Sequence, residues 1–203
     1  HQQDQAETVL LRLLSGAGIH GLAAMQSIDI REKFTIWRPL LALSRQQIEL
    51  WAAEMQLRNI QDQTNFDTSY DRAWCRAELW PILEKRFPKM QQALARTSYL
   101  MQDAETILAD VLAQDWASCG NASVLNLTPF RQLSAPRQRQ LLSAWMKGED
   151  LYRPAFDMVQ RLFDEVIESK VDAQAALHWN QYYYVRYQQQ LFRVSKTEYL
   201  SEQ

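Results

Sequence analysis

Between residues 4 and 14 the chain places Val9, Leu10, Leu11, Leu13 and Leu14 on nearly every side of one helical stretch. Apolarity that wraps a helix predicts burial, and SGAG at 15–18 predicts the stop, because glycine accepts the left-handed turn of a helix end. A short helical turn is expected around LAAM, residues 22–25. KFTIWRPLL, 33–41, reads as a strand, with β-favouring Phe34, Ile36 and Trp37 ahead of Pro39. Ser44 then caps a helix whose Ile48, Leu50, Trp51 and Met55 mark its buried side. Helix, strand and helix with little glycine is the cadence of one edge of an α/β sheet. The first strands of such a sheet are not in the sequence, and there is no initiating methionine, so the chain reads as a fragment.

NIQDQTNFDTSYD, residues 59–71, is polar and turn-rich and reads as a loop or linker. Beyond it the period lengthens. One helical pattern runs from about Tyr70 to Phe87, interrupted by Pro81. A second fills 88–119, from Pro88 in the first turn to Gly120 at the stop. VLNLT at 124–128 suggests a short strand, and APRQRQLLSAWMKG another helix ended by Gly148. RPAFDMVQRLFDEVIES, 153–169, is amphipathic through Phe156, Val159, Leu162, Phe163 and Val166. WNQYYYVRYQQQLFRV, 179–194, turns to β-type residues and predicts a hairpin. The expected fold is an α/β remnant, the late part of a parallel-sheet domain, over residues 1–66. A mostly α-helical domain with a terminal β-hairpin follows over 67–203.

Composition narrows the classes. The 203 residues suit one large or two modest domains, and 47% hydrophobic with 23% charged residues is ordinary globular usage. A net charge of −2 announces no nucleic acid globally. Two isolated cysteines, Cys75 and Cys119, speak against a disulfide scaffold or zinc module and for a reducing compartment. No run of about 18 uncharged apolar residues suggests a membrane span. The candidate chemistry sits in the opening HQQDQAET. On a helix His1, Asp4 and Glu7 share a face and could converge on one pocket, although acidic residues in a first turn also merely complement the helix dipole. Gly16 and Gly18 could turn backbone N–H groups toward phosphate, or only end the helix. Arg72 and Arg76 share a face, and Arg137 and Arg139 lie in a second basic run with Arg131 and Lys147. Either set could meet an RNA backbone or simply solvate a helix. YYYVRY could stack bases or fill a hairpin core, with the core the plainer reading. His20 and His178 have no metal-like neighbours in sequence.

HQQDQAETVLLRLLSGAG, WRPLLALSR and DQTN-x-D-x-S-Y-x-R-x-x-x-R together, in that order, resemble the tRNA(Ile)-lysidine synthases of the PP-loop ATP pyrophosphatases. The resemblance runs from His1 to Pro88 and continues more weakly to the hairpin. The family's SGGxDS loop and its C-terminal tRNA-binding domain have no counterpart in the 203 residues. What the resemblance implies is a cytoplasmic ligase. ATP adenylates the C2 oxygen of the wobble cytidine in the CAU anticodon of tRNA(Ile), and the amine of free lysine displaces AMP to give lysidine. It implies catalytic roles for His1, Asp4 and Glu7, with Asp4, Gly16 and Gly18 toward ATP and Asp4 toward Mg2+. It further implies tRNA contact at Arg72, Arg76, Arg137 and Arg139. Gln3, Ser15, Gln61 and Ala73 depart from residues common at their positions. Without the SGGxDS loop, a chain of this span is not expected to turn over ATP alone. Other readings are a different PP-loop tRNA-modifying enzyme, such as a thiolating one, or a helical RNA-binding module without catalysis.

Overall fold

His1 Nδ1 accepts the Asp4 amide at 3.3 Å while the His1 backbone nitrogen reaches Asp4 Oδ2 at 3.2 Å. This reciprocal capping box starts α1 (Gln2–Leu14), satisfying donors that a helix N-terminus leaves open. In the computed structural model, which describes residues 1–31, 33–58, 60, 62–150, 152–169 and 175–201, the helix stops at Ser15, and Gly16 takes a positive φ of 76° just beyond. Then come α2 (Ile19–Leu22), β1 (Ile28–Ile30), β2 (Thr35–Trp37) and α3 (Arg45–Glu54). A second capping box, between Ser44 and Gln47, opens α3. After a 3-10 turn at Gln63–Phe66, one helical run carries α4 (Asp71–Trp74), a π turn (Cys75–Leu79) and α5 (Trp80–Arg86). The run continues across Pro81, just after the π turn, so the expected interruption there does not occur.

The chain forms two compact units, His1–Ile107 and Leu108–Gln203, and the division falls inside the 30-residue α6 (Met90–Cys119). The expected domain boundary after residue 66 lies within the first unit. That unit has a small core in which Ala6, Cys75, Trp80 and Met90 are buried together, with Leu10, Leu11, Leu79, Leu83 and Leu94 packed around them.

The second unit holds β3 (Val124–Asn126), α7 (Leu127–Phe130), α8 (Ala135–Lys147), α9 (Phe156–Arg161) with a π turn (Leu162–Ile167), β4 (Ala176–Trp179), β5 (Tyr182–Tyr187), β6 (Gln190–Ser195) and α10 (Lys196–Ser201). Its strands form one antiparallel sheet in the order β3-β6-β5-β4. Phe130, Leu141, Leu142, Trp145, Leu162 and Tyr184 are among a large buried cluster on one sheet face. Each such side chain contributes about 1.5–3 kcal/mol by leaving water. Trp145 and Tyr184 meet edge to face at 5.6 Å, and their polar tips donate to the carbonyls of Asn121 and Met146.

Several expectations change. The fold is mixed α/β, and the hairpin is the middle of a four-stranded sheet, because β3 and β4 supply distant partners that periodicity cannot see. The described strands of the first unit, β1 and β2, pair antiparallel, not parallel. Leu13 and Leu14 are exposed, so α1 buries its first half instead of all sides. On α3 the expected core side is open: Leu50 is 63% exposed, Trp51 49% and Met55 just beyond 69%. Phe156 is also exposed, since α9 begins there and only its later turns reach the core. Asn59 and Gln61 of the expected linker lie outside the described residues. No helix among the described residues is long and apolar enough to cross a membrane.

Candidate functional site

The polar opening of α1 faces the helical run at 71–79. Burial draws both together, because Ala6 and Cys75 belong to the same small core. Glu7, one residue after Ala6, is fully buried. A buried carboxylate requires a partner, and Arg76 supplies it: Nε donates to Glu7 Oε1 at 2.7 Å and Nη2 to Asp4 Oδ1 at 2.9 Å. Four residues earlier, Arg72 Nη2 donates to Thr8 Oγ1 at 3.1 Å, and that hydroxyl donates to the Asp4 carbonyl at 2.7 Å. Two arginines one turn apart thus hold three side chains of one helix turn. The Glu7 hydrogen bond, opposed by burial and aided by the Glu7 and Asp4 charges, raises the Arg76 pKa. Burial, with the Glu7 charge added, pushes the Cys75 thiol up.

Glu7 Oε2 is buried and has no hydrogen-bond partner. Two carboxylates thus stand with two guanidinia, of which only Arg76 touches them, and one carboxylate oxygen is left as an unused acceptor. Beside it opens a cleft of about 510 Å³ lined by His1, Arg45, Ile60, Asn65, Phe66 and Arg76, with a smaller one of 330 Å³ bordered by Tyr70 and Arg72. His1, Asp4, Glu7, Arg72 and Arg76 are therefore gathered in one place.

Gly16 and Gly18 behave differently. The Gly16 N–H donates to the Leu13 carbonyl at 3.0 Å, and Gly18 begins the four-residue α2. A Cβ on either would meet nothing within 4 Å, so no close approach demands glycine, and only the φ of Gly16 does. Arg137, in the second unit, donates through Nε and Nη2 to both oxygens of the buried Asp115. Arg139 is exposed and makes no ion pair among the described residues. His20 lies against Glu105, with Nδ1 2.6 Å from Oε1.

As to metal, the described residues contain no group of three His, Cys, Asp or Glu side chains able to hold an ion. Asp4 already uses Oδ1 on Arg76 and Oδ2 on the His1 backbone.

Two features escaped sequence reasoning. Arg76 is the internal partner of Asp4 and Glu7, a pairing hinted at only by matched spacing of opposite charges. Gln5, buried, binds both backbone groups of Met25 and the Ser98 hydroxyl through its amide. A glutamine among site-like residues gives no sign of such a structural role.

Residues 1–83 match the family of PP-loop domains, and residues 125–192 match the TilS substrate binding domain. The tRNA(Ile)-lysidine synthase of Acinetobacter baylyi is 60% identical over 202 residues, covering 100% of this chain and 44% of that protein. Its namesake from Shigella flexneri is 34% identical over 203 residues, covering 100% and 47%. That of Pectobacterium atrosepticum is 37% identical over 196 residues, covering 95% and 44%. The chain spans about half the length of these curated relatives.

Proposed function

We propose that this chain, which belongs to the tRNA(Ile)-lysidine synthase family, forms part of an ATP-dependent ligase that joins lysine to the wobble cytidine of tRNA(Ile). Residues 1–66 are the late part of its PP-loop catalytic domain, and 67–203 its substrate-binding domain, acting in the cytoplasm. ATP, when bound, supplies the adenylyl group that activates the C2 oxygen of cytidine in the CAU anticodon. The nitrogen of lysine then bonds to C2 as AMP leaves with that oxygen.

For this chemistry an ammonium must be held, then relieved of a proton, since only a neutral amine attacks. The observation that carries the reading is the buried Glu7 Oε2 beside Asp4, with Arg76 fixing both carboxylates. It supports Glu7 as the acceptor for the lysine nitrogen and Asp4 as its electrostatic partner, with His1 fixing Asp4 through the cap. Magnesium would reach this chain as a nucleotide-bound ion, with Asp4 as a single protein ligand. Gly16 and Gly18 lie on the nucleotide side by family position. Arg139 and Arg72, neither in an ion pair among the described residues, are the cations most open to tRNA, and Arg76 and Arg137 contribute whatever guanidinium surface their carboxylate partners leave.

The test is lysine-dependent AMP release in the presence of tRNA(Ile), using the whole protein that contains this chain. Asp4→Ala and Glu7→Ala should each lower the rate at least ~100-fold, about 2.7 kcal/mol of transition-state stabilisation. Near-normal rates in both would reduce the corner to a helix cap.

A further inference from the structure

The tyrosine run of β5 divides between the two faces of the second unit's sheet. Tyr184, opposite Leu177 and Arg193, lies in the core. Alternation then turns Tyr183, Val185 and Tyr187 outward. Register places His178 and Val194 beside Tyr183, Phe192 beside Val185, and Gln190 beside Tyr187. Rings assemble on this outward face. His178 and Tyr183 have centroids 4.7 Å apart, and Tyr199 of α10 stacks on Tyr183 at 4.1 Å and 13°. Tyr187, at the other end, is 65% exposed and has no ring partner among the described residues.

These outward positions carry no carboxylate, in a chain with 24 acidic residues. At its ends charges come in both signs: Arg131 Nη1 donates to Gln189 in the turn after Tyr187 while its Nη2 lies 3.8 Å from Glu168, and Lys196 heads α10 with Glu198, which accepts from Ser195. Beside Tyr187 lie the amide side chains of Gln190 and of Asn126, its partner on β3.

We propose that this outward sheet face is a stacking surface for unpaired bases of the RNA substrate, with Tyr187 as the vacant ring. The proposal rests on the reading of the chain as part of a tRNA-modifying ligase. The family match to a substrate-binding domain, residues 125–192, contains all of β5. An aromatic sheet face whose outward positions carry no carboxylate fits bases that can splay out, and neutral amides fit base edges.

The test is filter binding of tRNA to the whole protein at several salt concentrations, with Tyr187→Ala, Tyr187→Phe and Tyr187→Trp. Tyr187→Ala should weaken affinity about fivefold or more, while Phe and Trp retain it, because the ring and not the hydroxyl stacks. The slope of affinity against salt should stay as in the wild type, since no phosphate contact is lost. Tyr187 is exposed, so the urea midpoint should not move. Unchanged binding by Tyr187→Ala overturns the surface, as does equal loss in Tyr187→Phe, a flattened slope, or a wild type that binds no RNA. Ring-dependent RNA binding without lysine-dependent AMP release would keep the surface and overturn the ligase reading.

Discussion

Arg76 neutralises only part of what it touches. Replacing it with alanine leaves Glu7 fully buried without a counter-charge and should cost about 2 kcal/mol, below the figure for fully buried pairs because the guanidinium keeps some water contact. Adding Glu7→Gln to that variant should restore most of the loss, which a double-mutant cycle in urea would read as a coupling between the two. Independent effects would mean that the pair does not hold the corner. The cysteines give a pH prediction. Cys75 and Cys119 are buried, and burial raises both thiols. The unfolded chain therefore loses these protons first, near the ordinary thiol value of about 8.5. Stability is full below that pH and falls as pH rises above it. Neither thiol should react with Ellman's reagent in the native chain at pH 8; fast reaction of either would refute its burial. Such thiols are poor sulfur carriers, which weighs against the thiolating alternative. At this scale the sequence was half legible. Spacing brought His1, Asp4 and Glu7 to one face, but the pairing of Arg76 with them depends on a contact across 69 residues, and no local pattern encodes it.

Helices were the most readable elements, since caps and stops are local chemistry. Ser44, Gly120 and Gly148 punctuate where their side chains, or lack of them, dictate, whereas Pro81 does not break the helical run that it was expected to interrupt. Gly120 carries the strictest demand. Its φ is 148°, and a Cβ there would collide with the backbone carbonyl of Val124, which cannot swing aside. Gly120→Ala should cost on the order of 2 kcal/mol. Gly16→Ala, with positive φ but open space, should cost about 1 kcal/mol. Thermal denaturation would rank the two, and equal losses would make φ alone responsible. The sheet was less readable. The hairpin declared itself through β-rich residues and a tight turn, whereas β3 joins β6 from more than sixty residues away.

Across the whole molecule, the two units differ in how well each covers its apolar side chains. The second encloses Trp145 and Tyr184 completely, while the first leaves Trp37 70% exposed and Leu50 63%. The periodicity of α3 marked Leu50, Trp51 and Met55 as its buried side, and the structure leaves them exposed, because a pattern cannot say what covers a face. The 203-residue chain should accordingly bind a hydrophobic dye through this face. Trp51→Glu should reduce the dye signal and shift the urea midpoint by less than about 0.5 kcal/mol in stability, as exposed positions do. A marked loss of stability would show Trp51 to be packed.

The π turn at Cys75–Leu79 has a consequence for how such a chain can change length. A π turn is an α-helical turn carrying one residue more, so the helix on either side keeps its facing. Trp80 and Leu83 would still meet the core if the exposed Glu78 were deleted and the turn relaxed to α geometry. Arg76, inside the altered turn, would be re-aimed away from Asp4 and Glu7. A single-codon deletion here should therefore yield a chain that folds and is soluble yet has lost its charged corner. At this turn, the loss of one residue edits the site while Trp80 and Leu83 keep their places in the core.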